Sequence, residues 1–413
     1  MGRGFYVALV VVATIALVTL NLGSNKDRFH RVLRGVLTAP EVLDVLESIT
    51  PKPTQFDTRQ VRAIVKLGNN KISKRLSDTA HSFCDGNDLV EYPLPKYDAC
   101  PPNSTLNVIP FFGGMTNALK FVVLGALMSF EENRCFTISE KDAHLNPGHR
   151  FGKTKNGEMG NFVDHFFEGI GLPHDHPIVK ERMASGNYVV REWRQYWDSL
   201  ERRRTSLHNF NYNTSMYSHP AANVDGVTLK RDFIRHMWHL LPSYRDSTCQ
   251  ALKDQGIFDT DYIALSVRRG DKTAEHFAFP TMRVYIREAE NLVRHVFKDG
   301  EIPKIFVATD DCKTLHELRR LRPQWTFISQ CDLLAEIQTG YDIKKIPKMN
   351  GKQREEHFRK FFVELYALAF SKLYIGVAYT NVAWWAFMMR PVDQDTFLLV
   401  DKSPQGQDAL NYW

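Results

Sequence analysis

The chain has 413 residues, 43% of them hydrophobic and 24% charged, an ordinary globular composition that excludes a chain disordered along its length. A formal net charge of +6 is mild, and without a long Lys/Arg stripe interleaved with aromatics it argues against nucleic-acid binding while suiting an anionic ligand such as a nucleotide diphosphate. After an apolar N-terminus, enough chain remains for two domains of about 100 to 200 residues each.

Phe5 to Leu22 is an apolar run preceded by Arg3 and followed by Lys26, Asp27 and Arg28. Its length lies near the lower limit of a spanning helix and suits a thin secretory-pathway bilayer. The apolar core of a cleaved signal peptide usually runs only about 7 to 15 residues, and no Ala-x-Ala site follows. The expectation is a single-pass type II signal anchor in the Golgi membrane. Residues 1–4 would then be a cytoplasmic tail, 5–22 the transmembrane helix and 23–80 a stem, with the folded body lumenal. Within the stem, Ala39 to Ile49 has helical spacing and Pro51-Lys52-Pro53 breaks it. Arg59 to Lys74 reads as a second, basic helical piece ending near Asn69-Asn70.

Six cysteines, Cys84, Cys100, Cys135, Cys249, Cys312 and Cys331, fit up to three bridges in an oxidising lumen. Proximity in sequence suggests Cys84 with Cys100 and Cys312 with Cys331. No Cys-x-x-Cys occurs, so structural zinc is not expected. Asn103 and Asn213 head glycosylation sequons that belong on surface loops.

Residues 81–245 read as an N-terminal α/β domain. Leu106 to Phe112 is a strand, Gly113-Gly114-Met115-Thr116-Asn117 a turn, Ala118 to Ser129 a buried helix, and Cys135 to Ser139 the next strand. A strand, a Gly-rich turn and a helix start can present backbone N–H groups to an anion, which singles out Gly113, Gly114 and Asn117. From 140 to 250 the pattern is weak. His174-Asp175-His176 between prolines reads as a loop rather than a metal site. Val189 to Arg204 reads as an amphipathic core helix carrying Trp193, Tyr196, Trp197 and Leu200.

From residue 246 to 413 the pattern is regular. Strands at Asp261 to Val267, Lys304 to Thr309, Trp325 to Ser329, 373 to 377 and Phe397 to Val400 alternate with helices at Thr281 to Phe297, Lys313 to Leu321, Gln353 to Phe370 and Asn381 to Met389. Such alternation means a parallel, doubly wound sheet. Ligands of such sheets sit at the carboxyl ends of the strands. There stand Arg268-Arg269-Gly270-Asp271-Lys272, then Asp310-Asp311, then Ala378-Tyr379-Thr380-Asn381. Asp259-Thr260-Asp261 has metal-site spacing but opens its strand, at the opposite end.

Together these stretches resemble the α1,6-fucosyltransferase family, over roughly residues 255 to 390. The family pattern is a His-Val-Arg-Arg-x-Asp-Lys strand end, a Glu, a Tyr opening a helix, Ala-Thr-Asp-Asp, and an acid sixteen residues before a strand-end Ser. Here those places hold Ser266 to Lys272, Glu275, Tyr285, Ala308 to Asp311, Glu364 and Thr380. Ser266 stands where the family has histidine, and Thr380 keeps the hydroxyl of the family's serine. The resemblance implies two Rossmann-like domains facing a cleft (GT-B type), with acceptor side and Gly loop in the first and the GDP-sugar site in the second. It implies inverting transfer of fucose from GDP-fucose to a glycan or glycoprotein hydroxyl, with no metal or other cofactor.

Under that resemblance Arg268 holds the β-phosphate, with Arg269 in support. Glu275 is the base, oriented by Asp271 and Lys272. Asp310, Asp311 and Tyr285 line the donor site, and Glu364 accepts from the N1–H and exocyclic amine of guanine, with Thr380 beside it. A homodimer is compatible with this reading. Two alternatives are a protein O-fucosyltransferase-like enzyme and a non-catalytic lumenal protein that binds GDP-sugar or glycan.

Overall fold

A computed structural model describes residues 69–87, 100, 103–110, separate positions between 115 and 139, 150–153, 159–161, most of 165–191, positions between 231 and 240, then 241–269, 280–331, 349–377, 380–390 and 396–401. The expected signal anchor at 5–22 and the stem up to residue 68 lie outside the described residues. All described residues fall within one unit, Val61–Trp413.

The first described element is helix α1 (Asn69–Cys84). It begins where the sequence suggested that a basic helix ends, and it is no spacer. Leu76, Ala80 and Phe83 are buried, and the Phe83 ring stacks on Tyr366 with centroids 3.8 Å apart. The part of the expected stem from residue 69 onward therefore belongs to the folded body. The reason is the apolar stripe at 76, 80 and 83, which has helical spacing and needs a partner surface.

The N-terminal part follows with β1 (Leu106–Pro110), β2 (Phe136–Ser139), β3 (Arg150–Lys153), β4 (Met159–Asn161), α2 (Pro177–Ala184) and β5 (Tyr188–Val190). Parallel strands β2, β1 and β5 form one sheet with β1 in the centre, and antiparallel β3 and β4 form another. The described positions between 115 and 129 are helical and buried; the sequence suggested a helix only from Ala118, and Met115 and Thr116, expected in the turn, are helical too. Val189 and Val190 lie in β5 rather than at the start of the expected amphipathic helix, because pairing with Asn107 and Val108 claims them. The rest of that helix, 192–204, lies outside the described residues. His176 caps α2 by accepting from the Ile178 N–H at 3.3 Å, consistent with a loop role for the His-Asp-His stretch.

The C-terminal part contains α3 (Pro242–Asp254), β6 (Ile263–Val267), α4 (Met282–Val296), β7 (Lys304–Thr309), α5 (Lys313–Leu321), β8 (Thr326–Ile328), α6 (Gly351–Phe370), β9 (Leu373–Gly376), α7 (Asn381–Met389) and β10 (Phe397–Leu399). Its five strands are all parallel, in the order β10-β9-β6-β7-β8. Every residue of β6 is buried, as a central strand covered on both faces requires. With strand β6 in the middle of the order, the right-handed crossover rule puts α4, on the way out to β7, and α6, on the way back to β9, on opposite faces. Asn350 and Gln353 start α6 with reciprocal side-chain to backbone bonds, a capping box. The fold is thus mixed α/β with parallel sheets, as expected.

Aromatic side chains join the two parts. Phe167 packs on Trp238, and Trp238 on Trp385 at 4.9 and 4.5 Å between ring centroids, while Phe166 meets Phe358 and Phe362 of α6. All six cysteines are paired, as Cys84–Cys249, Cys100–Cys135 and Cys312–Cys331. The Cys312–Cys331 suggestion is met. Cys84–Cys100 is not, because α1 lies against α3 and brings Cys84 to Cys249, with Cα atoms 5.9 Å apart.

The Cys84–Cys249 bridge closes a 165-residue separation and Cys312–Cys331 one of 19. Loop-closure entropy grows with loop length, so replacing Cys84 and Cys249 together by alanine should cost about 2 to 5 kcal/mol, more than replacing Cys312 and Cys331. Denaturant unfolding of both variants checks this; an equal or reversed loss contradicts it.

Candidate functional site

Strand β6 lies between β7 and β9, so the chain leaves β6 on one side and returns on the other. In open parallel sheets the crevice outside the carboxyl ends of such a pair is where ligands bind. Arg268 and Arg269 follow β6, Asp310 and Asp311 follow β7, and Thr380 follows β9.

Arg268 Nη1 donates to Asp310 Oδ2 in an ion pair whose side chains are only 18% and 8% exposed, so solvent screens it little. Asp310 Oδ1 also accepts the backbone N–H of Arg269 at 2.8 Å. The carboxylate thereby ties the ends of β6 and β7 and orients one guanidinium. Successive side chains of extended backbone diverge. The Arg269 fork accordingly turns to Glu317 on α5, with two N–H···O bonds of 3.1 and 3.3 Å.

Glu364 approaches from α6. Burial first, and then the Asp310 carboxylate, push its carboxyl up to about 8, against a hydrogen bond from the Thr309 backbone and the charges of Arg268 and Lys360. At pH 7 Glu364 is thus mostly protonated, beside the Arg268–Asp310 ion pair. Since this value lies above the ordinary 4.5, protonated Glu364 stabilises the fold fully below pH about 4.5, and that contribution is lost as pH rises through about 8.

The other predicted residues divide clearly. Thr380 is buried and caps α7, its Oγ1 accepting from Ala383 N at 3.1 Å. Tyr285 is buried in α4, and its hydroxyl donates to the Ser266 carbonyl at 3.2 Å, under the strand end rather than in the crevice. Asp311 Oδ1 accepts the Lys313 N–H at 3.1 Å, at the start of α5, where Cys312 is the N-cap. Asn103 is exposed on a turn. Asp271, Lys272, Glu275, Gly113, Gly114, Asn117 and Asn213 lie outside the described residues. The Asp259/Asp261 pair stands at the amino end of the sheet, where Asp261 binds Ser73 at 2.7 Å and Lys372 at 2.6 Å, and Asp259 binds Ser77 and His81.

The sequence reading missed His357 and Lys360. They lie seven and four residues before Glu364, on one stripe of α6. The charge of Arg268 acts on both His357 and Glu364. The signal that finds them is this i, i+3, i+7 polar stripe on a helix otherwise rich in buried apolar residues. Behind it, on the opposite face, Arg359 binds Glu355 at 2.9 Å and Ser247 at 2.9 Å and lies over the Tyr244 ring. Tyr244 in turn bonds Glu355 and His165. Burial, reinforced by Glu355, pushes the Tyr244 hydroxyl up to about 12, so it is neutral and donates.

No protein-family model matches the chain. Over 113 residues it is 26% identical to an α-(1,6)-fucosyltransferase of Drosophila melanogaster, a match covering 26% of this chain and 18% of the length of that relative. Among solved structures it is similar to the NodZ α-1,6-fucosyltransferase soaked with GDP-fucose, at 12% identity and a TM-score of 0.42, over 70% of this chain and 94% of that one. Fucosyltransferase NodZ from Bradyrhizobium aligns over the same shares with the same TM-score. POFUT1 in complex with GDP aligns at 11% identity and a TM-score of 0.37, over 73% of this chain and 99% of that one.

Proposed function

We propose that this chain is a glycosyltransferase that moves fucose from GDP-fucose to a glycan hydroxyl, in the manner of an α1,6-fucosyltransferase. The observation that carries the reading is the Arg268 guanidinium, oriented by Asp310 at the strand-order reversal, beside the half-buried Glu364 carboxyl on α6. Arginine is suited to diphosphate oxygens, and a carboxylate accepts from both the N1–H and the exocyclic amine of guanine, a match adenine cannot make. The local sequence match to an α-(1,6)-fucosyltransferase supports it.

In the proposed reaction the bond between the sugar C1 and the β-phosphate oxygen breaks, and its electrons go to the diphosphate, where Arg268 stabilises the growing charge. The acceptor oxygen attacks C1 from the opposite face, which inverts the anomeric centre, and its proton passes to a carboxylate. Glu275, with Asp271 and Lys272 beside it, enters this role from the sequence pattern alone. We assign the charge stabilisation to arginine, without a metal. The two-domain GT-B arrangement, the Golgi membrane location, the type II anchor and a homodimer belong to the same proposal.

Incubating the full chain with GDP-fucose and a glycan panel should yield fucosylated glycan, with ADP- or UDP-sugars inert. Failure with every glycan but transfer to folded cysteine-rich domains would favour a protein O-fucosyltransferase instead. GDP binding adds a direct signature. Guanine donors favour the charged form of Glu364, so its carboxyl, otherwise raised to about 8, should ionise on binding. Calorimetry at pH 7 in buffers of different ionisation enthalpy should then show close to one proton released by the wild type and none by Glu364→Gln. Equal proton release from both would remove Glu364 from the guanine site.

A further inference from the structure

Helix α6 is long for the sheet it covers. Its 20 residues span about 30 Å, and it runs opposite to the strands, ending just before β9 begins. The Thr309 backbone, at the end of β7, acts on the Glu364 carboxyl, so that level of the helix lies by the sheet's carboxyl edge. The residues of α6 before Glu364 stand above that edge, as a wall of the crevice. His357 lies two turns, about 10 Å, above Glu364 on the same stripe, with Lys360 between them.

The opposite face of this wall is braced. Glu355 and Arg359 lock onto Tyr244 and Ser247 of α3, and Tyr244 reaches His165 at 2.9 Å. Phe358 and Phe362 pack on Phe166. These contacts fix the rotation of α6, and with it the direction of the stripe that carries His357. The groups acting on the imidazole are Lys360 on its own helix and Arg268 from the end of β6, and the Phe358 ring meets it edge-on at 5.2 Å.

We infer that His357 is a further contact of the nucleotide site, reaching the β-phosphate end of a nucleoside diphosphate whose base lies against Glu364. The inference rests on the GDP-sugar reading above. Burial, then Lys360 and Arg268, push the imidazole down to about 4, so near pH 7 it is uncharged, with one N–H to donate. A group of that acidity is too weak a base to take the acceptor's proton, so the role is binding and positioning of the leaving group. An imidazole donor two turns from the base site matches the extended span from guanine to the terminal phosphate.

The test is titration of the full chain with GDP, GMP and guanosine, in the wild type, His357→Ala, His357→Asn and Arg268→Lys. His357→Ala should weaken GDP about tenfold, the effect of one hydrogen bond to a charged group, and leave GMP and guanosine nearly unchanged. His357→Asn, which keeps an N–H donor, should recover most of the loss. An equal loss for all three ligands would show a structural role and overturn the assignment. So would an unchanged GDP affinity in His357→Ala when Arg268→Lys loses it. A wild type that binds no GDP overturns the underlying reading together with this assignment.

Discussion

Replacing Arg268 by alanine is expected to lower transfer from GDP-fucose by about 10²- to 10³-fold, the usual cost of removing one preorganised group at a developing charge. Two effects combine. The diphosphate loses its cation, and Asp310, only 8% exposed, is left beside Glu364 without the charge that offsets both carboxyls. Loss of Arg268 should therefore raise the Glu364 carboxyl further, since that guanidinium holds it down. Proton release on GDP binding should persist to higher pH in the variant.

Arg268→Lys keeps a charge but not the planar fork, and should recover only part of the rate. Arg268→Ala combined with Asp310→Asn separates folding from chemistry: it should restore thermal stability lost in the single variant without restoring turnover. Steady-state kinetics with a glycan acceptor, read beside thermal unfolding, decide the matter. Full activity in Arg268→Ala would end the proposed mechanism.

The largest expected effect on stability lies far from the crevice, at Arg390. This side chain is 1% exposed and sits under the C-terminus of α6. Its guanidinium donates to the carbonyls of Leu368, Ala369, Ser371 and Lys372, at 3.0, 3.4, 2.8 and 3.2 Å, and to the hydroxyls of Ser371 and Thr396, both at 2.9 Å. It neutralises the negative end of the helix and satisfies carbonyls that have no partner within it. Arg231 and Arg235 donate to the Arg390 carbonyl, which ties the segment before α3 to the same joint.

Burial pushes the Arg390 guanidinium down to about 9, still protonated at pH 7. Arg390→Met keeps much of the volume but strands these acceptors, which should cost about 3 to 5 kcal/mol. The midpoint of thermal unfolding should fall on the order of 5 to 10 °C. Below the transition, GDP affinity should stay near that of the wild type, because the joint lies at the far end of α6 from His357. An unchanged midpoint would show that water satisfies those carbonyls.

Much of the C-terminal half was legible locally. The helix at Lys313–Leu321 and that at Asn381–Met389 match their expected bounds, and the strand at Lys304–Thr309 does as well. Each is a short apolar or periodic run between charged, Gly or Pro stops, and those signals act over a few residues. The sequence also brought Arg268, Asp310 and Glu364 forward as candidates. It overlooked His357 and Lys360, which lie on a stripe pointing the same way as Glu364 and contain no familiar motif. It gave Arg390 no role.

What the sequence by itself determined was the kind of each segment and the chemistry each strand end carries, because backbone preference and apolar period are properties of neighbours in the chain. Tertiary structure alone decided who meets whom. It set Arg268 on Asp310, 42 residues away, and Arg269 on Glu317; it paired Cys84 with Cys249; and it drew α1 into the core. Those outcomes depend on strand order and on which helix covers which face. Burial is shared among segments far apart in the chain, so no one segment records its partner.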